Sequence, residues 1–195
     1  MKRFRIAGIA GLVAPPLVFA CILTAIASWP QFNWFNNALS DLGVQNGATS
    51  IVFNSGLIIG GLIFIIFATG LFNFAAKNGT CYLGSTFFIL AALMLIAIGV
   101  FNENFSPTHY LLSIGLFVFL PISLLTLTAA YLLAHRFRLA AFTLASAIVA
   151  AAIWAFEFAI KYAPGVAIPE FVSGLAGAVW VIGLSYLMLM QSRDK

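Results

Sequence analysis

Charged side chains are scarce in this sequence, and their scarcity excludes a soluble globular domain. Only 7% of the 195 residues are Asp, Glu, Lys or Arg, whereas a soluble domain carries about 25%. Hydrophobic residues make up 63% of the chain. The polar surface is therefore too small to cover a globule that faces water on all sides.

Residues that bind metals or form disulfides are also few. The chain has two cysteines and two histidines. Cys21 lies inside one apolar stretch and Cys81 begins another, so we expect different depths and no disulfide. The spacing matches no zinc motif. Zinc held by His109 and nearby carboxylates is chemically possible, but a single histidine on that side favours a protein without metal or cofactor.

Long apolar segments occupy most of the chain. They cover roughly residues 6–28, 51–72, 82–101, 110–133, 139–160 and 171–190. Each is close to the 20 or so residues that cross a hydrocarbon core of about 30 Å. Continuous apolar runs without alternation exclude a β-barrel. We predict an all-α, polytopic bundle of six transmembrane helices forming a single domain over residues 1–195, with the first segment retained as a helix rather than cleaved as a signal peptide.

Basic residues lie almost entirely on one side of these segments. On that side are Lys2, Arg3, Arg5, Lys77, Arg136, Arg138, Arg193 and Lys195, and on the other side only Lys161. The positive-inside rule then predicts that both termini are cytoplasmic in a multi-pass protein of the cell membrane. The net charge of +4 is explained by this topology beside anionic lipid, so we expect the bilayer and no nucleic acid as partner.

Polar residues gather on the opposite, outer side, where they predict a pocket that opens outward. The candidate catalytic residues are Asp41, His109 and Ser113. The candidate substrate-binding residues are Ser40, Asn54, Glu103, Trp154 and Glu157. The acidic residue Glu170 and the indoles of Trp29 and Trp34 lie at a similar depth.

The segment NALSDLG at residues 37–43 lies in the longest outer loop. One interpretation is a re-entrant turn in which Ser40 or Asp41 caps a short helix and Gly43 adopts a positive φ. The other is that the Asp41 carboxylate is held over a pocket.

His109 and Ser113 are four residues apart and so share one face of a helix. This spacing permits a hydrogen bond, or a base beside a hydroxyl nucleophile. A histidine that only anchors the helix at the interface is the alternative.

Glu157 is the carboxylate inside a predicted span. Hydrocarbon disfavours such a charge, so the side chain should face the bundle or pair with another group. Lys161, four residues later, could be that partner. Otherwise Glu157 points into the pocket as a proton acceptor or cation ligand.

Gly56 and Gly60 have the small-xxx-small spacing that lets a neighbouring helix approach closely. We therefore expect a tight helix contact along this face of the second span.

Several of these motifs together carry a resemblance to a known family. They are APP at residues 14–16, NALSDLG at 37–43, FNSGL at 53–57, IGVF at 98–101 and HYLLS at 109–113. The series resembles a large family of small prokaryotic, especially archaeal, membrane proteins of unknown function. Residues 40–43 and the pair His109–Tyr110 are also remotely similar to a eukaryotic six-helix group, the damage-regulated autophagy modulators and a protein of lipid-anchor remodelling. This second resemblance implies a shared fold and an association with lipids.

Two functions of different classes remain open. One is binding or processing of a lipid or amphiphile at the outer leaflet, and it predicts that Asp41, His109 and Glu157 converge. The other is a non-catalytic scaffold or partner subunit for another membrane protein. The apolar midplane of the second and third spans argues against an ion pathway.

Overall fold

The computed structural model describes residues 2–72, 74 and 76–193, apart from the side chains of Lys2 and Arg193. In this part of the chain all regular structure is helical. The α-helices are α1 Lys2–Ala27, α2 Ala48–Leu71, α3 Gly79–Val100, α4 Thr108–Leu133, α5 Phe137–Ile160 and α6 Ala167–Arg193. Two short 3-10 helices cover Leu39–Val44 and Glu103–Phe105. Lys195, which contributed to the predicted orientation, lies outside the described residues.

The α-helices form a closed ring. Each packs against the next along the chain, and α6 returns to pack against α1. All six are long and apolar enough to cross a membrane, which confirms the all-α, six-span prediction. We call the end where α1, α3 and α5 finish and α2, α4 and α6 begin the polar end, and the opposite end the basic end.

The predicted close approach along α2 is confirmed. A Cβ atom added to Gly56 would collide with Cys21, and one added to Gly60 would collide with Val18. Both neighbours belong to α1, so the two glycines let the helices come close enough for dispersion contacts along their length. Both cysteines are free thiols.

The helix α6 is joined to α5 by two buried hydrogen bonds. Trp180 Nε1 donates to Thr143 Oγ1 at 2.9 Å. Ser173 Oγ donates to the carbonyl oxygen of Ala150 at 3.0 Å. Such bonds between spans are worth about 0.6 kcal/mol on average, so they orient the helices more than they stabilise them.

The 3-10 helix Leu39–Val44, which we call the lid helix, folds back over the polar end. Leu39, Ser40, Leu42 and Gly43 are buried, so apolar contacts bring this segment onto the bundle. The short-helix interpretation of residues 37–43 is confirmed, because the Asp41 side chain caps the backbone of Ala38. The positive φ expected at Gly43 is wrong: Gly47, just before α2, has φ of 74° instead.

Candidate functional site

Two carboxylates attach the start of the lid helix to the bundle. Glu170 Oε2, in the first turn of α6, accepts a hydrogen bond of 2.6 Å from the backbone N–H of Leu39. Glu103 Oε1, just after α3, accepts one of 2.6 Å from Ser40 Oγ. Both donor–acceptor distances are short for hydrogen bonds in proteins. The lid is thus fastened to two elements remote from it in sequence.

Two asparagines hold the other end of the lid helix. The carbonyl oxygen of Gly43 accepts from Asn54 Nδ2 at 2.9 Å and from Asn102 Nδ2 at 3.3 Å. A Cβ at position 43 would lie 2.7 Å from Asn54 Oδ1, so a side chain there would displace the Asn54 amide that bonds to Gly43. That Oδ1 atom is buried and has no hydrogen-bond partner. Asn54, a candidate substrate-binding residue, therefore bonds to the lid.

Asp41, a candidate catalytic residue, is engaged within its own turn. Its Oδ2 accepts from Asn37 Nδ2 at 2.6 Å and from the backbone N–H of Ala38 at 3.1 Å. These bonds fix the first turn of the lid helix. None of its hydrogen bonds reaches His109.

Glu103 interacts electrostatically with both Asp41 and His109. Burial raises the pKa of the Glu103 carboxyl above its usual 4.5, while the hydrogen bond from Ser40 acts in the opposite direction. The charge of Asp41 and a hydrogen-bond interaction with it also raise this pKa, and the charge of His109 lowers it. The two candidate catalytic residues are therefore linked electrostatically through Glu103.

His109 and Ser113 are in contact, as their spacing predicted. His109 is buried at the start of α4, and its Nδ1 lies 2.7 Å from the carbonyl oxygen of Phe101. A carbonyl oxygen only accepts, so Nδ1 carries a proton, and Nε2 is the ring nitrogen left to accept in the uncharged tautomer. Ser113 Oγ lies 3.5 Å from that Nε2 and donates to it over a long hydrogen bond.

A cavity of about 140 Å³ lies beneath the lid helix, within the ring. Its walls come from α1, α2, α3, α4 and α6, and are almost wholly apolar. The polar side chains in its lining are Ser40, Ser113 and Glu170. An engineered apolar cavity of about 150 Å³ takes up benzene, so this one can hold a short length of hydrocarbon.

The remaining candidates, Trp154 and Glu157, lie on α5, which contributes no residue to the cavity lining. Trp154 packs its ring against Phe117 of α4, with ring centroids 4.7 Å apart, and Phe117 lines the cavity. Glu157 is only 5% exposed, and its Oε2 has no hydrogen-bond partner. Lys161, the alternative partner, is exposed and does not bond to that oxygen.

No hydrogen bond joins Asp41, His109 and Glu157 to one another, and their expected convergence stays a prediction. Glu103 interacts electrostatically with both Asp41 and His109, whereas Glu157 has no hydrogen bond to either. Among the described residues no group of three or more His, Cys, Asp or Glu side chains is arranged to hold a metal ion.

Sequence reasoning did not select Glu170 and Asn102 as site residues. The sequence places Glu170 at the depth of the outer polar residues but just before the sixth predicted span, which begins at residue 171. In the structure α6 begins at Ala167, so Glu170 lies inside the helix. Placing a carboxylate in the first turn of a helix is a common signal that could have identified it. Asn102 shows no such signal, since its bond to Gly43 exists only in the folded chain.

Six apolar spans with a re-entrant lid define the class: a multi-pass helical membrane protein. Residues 12–186 match the model of a family described as "Protein of unknown function (DUF998)", and the chain belongs to that family. No curated protein and no solved structure matches it.

Proposed function

We propose that this protein binds a lipid or a related amphiphile of the cell membrane, with the apolar part of the ligand in the cavity beneath the lid helix. The observation that carries the proposal is the polarity of that cavity. Its walls are apolar, while Ser40, Ser113 and Glu170 supply the polar atoms of its lining. This division matches a molecule with a hydrocarbon part and a polar part.

The sources of the lining residues support the same proposal. Phe117 of α4 and Gly174 of α6 both line the cavity, but α5, which lies between these helices in the ring, contributes nothing to it. We infer that a lipid tail would enter from the bilayer between α4 and α6, where α5 does not form part of the cavity wall. The cavity volume suits a segment of a chain rather than a whole acyl group, so most of the ligand would remain in the surrounding lipid.

Orientation and location form part of the proposal. With the basic end in the cytoplasm, as the positive-inside rule predicts, the lid and the cavity face the outer leaflet. The remote resemblance to the autophagy modulators and to lipid-anchor remodelling is consistent with a lipid ligand, and stays a prediction.

Native mass spectrometry of the full chain, purified from membranes in mild detergent, tests this proposal. We expect the wild type to retain a lipid. Gly174 offers the matched variant, because a Cβ there meets only Phe19 at 3.7 Å, an ordinary contact. Gly174→Phe should fill the cavity and abolish retention, whereas Gly79→Ala, at a position with open space, should leave it unchanged.

Two results would overturn the proposal. One is a wild-type protein that carries no lipid, and the other is equal retention by a folded Gly174→Phe variant. A membrane protein that copurifies in a stoichiometric complex with lipid-free protein would then favour the scaffold function.

A second candidate function, processing of the bound amphiphile, is favoured by the Ser113–His109 contact. Ser113 lines the cavity, and the bond to Phe101 directs Nε2 of His109 to the hydroxyl. In acyl transfer, Ser113 Oγ would attack an ester carbonyl carbon while Nε2 takes the hydroxyl proton and passes it to the departing alkoxide. Water would then release the acyl group from Ser113 by the same proton route.

A fluorophosphonate probe tests this candidate, since it labels only activated serines. We expect labelling of the wild type that is lost in Ser113→Ala and reduced in His109→Gln. The buried Ser123, which donates to the carbonyl of Gly84, is the control position. Absence of labelling on Ser113 in folded protein would leave binding as the function and reject catalysis.

A further inference from the structure

At the polar end of α5, three buried polar atoms have no hydrogen-bond partner. They are Trp154 Nε1, Glu157 Oε2 and Tyr162 OH. Buried polar atoms are rarely left unpaired, because each loses its bond to water without a replacement. Three such atoms close together in the chain indicate a group that the polypeptide itself does not supply.

Trp154 and Glu157 share a face of α5, and Tyr162 lies near enough to Glu157 to be affected by its charge. Trp154 and Glu157 are three residues apart on α5, a spacing that puts their Cβ atoms about 5–6 Å apart. Tyr162 lies just after the helix, and its ring packs against Phe156 of α5 with ring centroids 5.6 Å apart. Burial first, and the charge of Glu157 second, raise the pKa of the Tyr162 phenol. The phenol keeps its proton at neutral pH, as a tyrosine of ordinary pKa also does, and can donate.

The chemistry of the three atoms limits the ligand. Glu157 Oε2 accepts, and a buried carboxylate is greatly stabilised by a cation that also donates an N–H. Trp154 Nε1 donates only, and Tyr162 donates as well. The complementary ligand carries a primary ammonium group next to an oxygen acceptor.

The position of the site suggests the source of that group. It lies at the end of a membrane span, where head groups are found, and Trp154 packs on Phe117 of the cavity wall. A ligand with its tail near the cavity could therefore extend its polar part to α5. Lys161 is exposed beside the site, does not bond to Glu157 Oε2, and leaves that oxygen to an external cation.

We propose that Glu157, Trp154 and Tyr162 form a head-group site for a lipid bearing a primary amine and a phosphate. The ammonium group donates to Glu157 Oε2, and phosphate oxygens accept from Trp154 Nε1 and the Tyr162 hydroxyl. This inference rests on the proposed amphiphile binding for the source of its ligand, and names the class of head group.

Titration of the delipidated full chain with soluble short-chain lipids tests the inference. The head group of dihexanoyl phosphatidylethanolamine has a positively charged amine with N–H donors. The phosphatidylcholine analogue has a positively charged amine without N–H, and the phosphatidylglycerol analogue has no amine. We expect the ethanolamine lipid to bind wild type about tenfold or more tightly than the other two, which corresponds to about 1.4 kcal/mol. Glu157→Gln should abolish that preference.

Two further variants separate this inference from the proposed function. Trp154→Phe keeps the ring and removes the N–H, so it should weaken all three phosphate-bearing lipids together. Gly174→Phe, which fills the cavity, should weaken all three equally and preserve the ethanolamine preference. If Gly174→Phe leaves all three affinities unchanged while the ethanolamine preference still depends on Glu157, the head-group site is supported and the cavity is rejected as the tail site.

Free ethanolamine identifies the source of the amine. Weak binding that still depends on Glu157 supports the ammonium site, and tighter binding of the lipid than of free ethanolamine assigns it to lipid. Equal affinity for the three lipids, or a preference that survives Glu157→Gln, would overturn the inference. So would a polypeptide that copurifies with wild type and is lost in Glu157→Gln, because a lysine or arginine of that partner would then fill the site.

Discussion

The carboxylate of Glu170 and the backbone N–H of Leu39, separated by 131 residues in the chain, form a hydrogen bond of 2.6 Å. This bond ties α6 to the lid helix, and both residues line the same cavity. It therefore couples the closure of the lid to the position of α6. Two predictions below concern the hydrogen bonds that hold the lid helix, and a third concerns the packing of α1 against α2.

Removing the Glu170 carboxylate should loosen the lid. In Glu170→Ala the Leu39 N–H loses its acceptor, at a cost of about 1–3 kcal/mol. We expect faster amide hydrogen exchange in peptides covering residues 39–44, with unchanged exchange in the middle of α3. Glu170→Gln is the matched control, because its amide oxygen can still accept and exchange should rise much less. Equal exchange in both variants and the wild type would show that this bond does not hold the lid.

Lid closure should weaken as the pH rises. Burial raises the pKa of Glu103 above 4.5, so the folded chain holds this proton more strongly than an unfolded or open one. The stabilisation is fully present below about pH 4.5 and is lost as the pH rises through the raised pKa. Above it, ionised Glu103 is repelled by the charge of Asp41, while the hydrogen bond from Ser40 and the charge of His109 offset part of that repulsion.

Hydrogen exchange of the same peptides, corrected for the intrinsic effect of pH, measures this dependence. Glu103→Gln should remove it, because the amide stays neutral and its oxygen can still accept from Ser40. A pH dependence that is unchanged in Glu103→Gln would assign the titration to a group other than Glu103.

Adding a methyl group at the tight contact between α1 and α2 should destabilise the bundle. In Gly56→Ala the new methyl group meets the Cβ of Cys21, an atom too close to the backbone to rotate away. Overpacking of this kind costs about 1–3 kcal/mol, so we expect a lower thermal unfolding temperature in detergent. Gly79→Ala, where no atom lies within 4 Å, should leave the temperature unchanged or slightly higher because alanine favours helix. Equal temperatures for the two variants would contradict a tight helix contact at Gly56.

Most of the architecture could be predicted from the sequence because the bilayer imposes it. Apolar segments of span length must be helical, since no water is available to their backbone groups. The glycine spacing of Gly56 and Gly60 and the i,i+4 contact of His109 with Ser113 are local consequences of helix geometry. The start of α6 was misplaced because Ala167 to Glu170 include a proline and a charge that resemble a loop.

Tertiary structure alone decided which polar residues meet. Whether Asp41 would bond to His109 or to its own turn depends on how the lid helix lies, and a linear pattern does not contain that information. The roles of Glu170, Asn102 and Gly43 likewise arise from residues brought together across the ring. Hydrophobic pattern and charge bias, which act along the chain, determined the spans, whereas the hydrogen bonds of the lid and the unpaired atoms beside Glu157 depend on directions and distances that only packing sets.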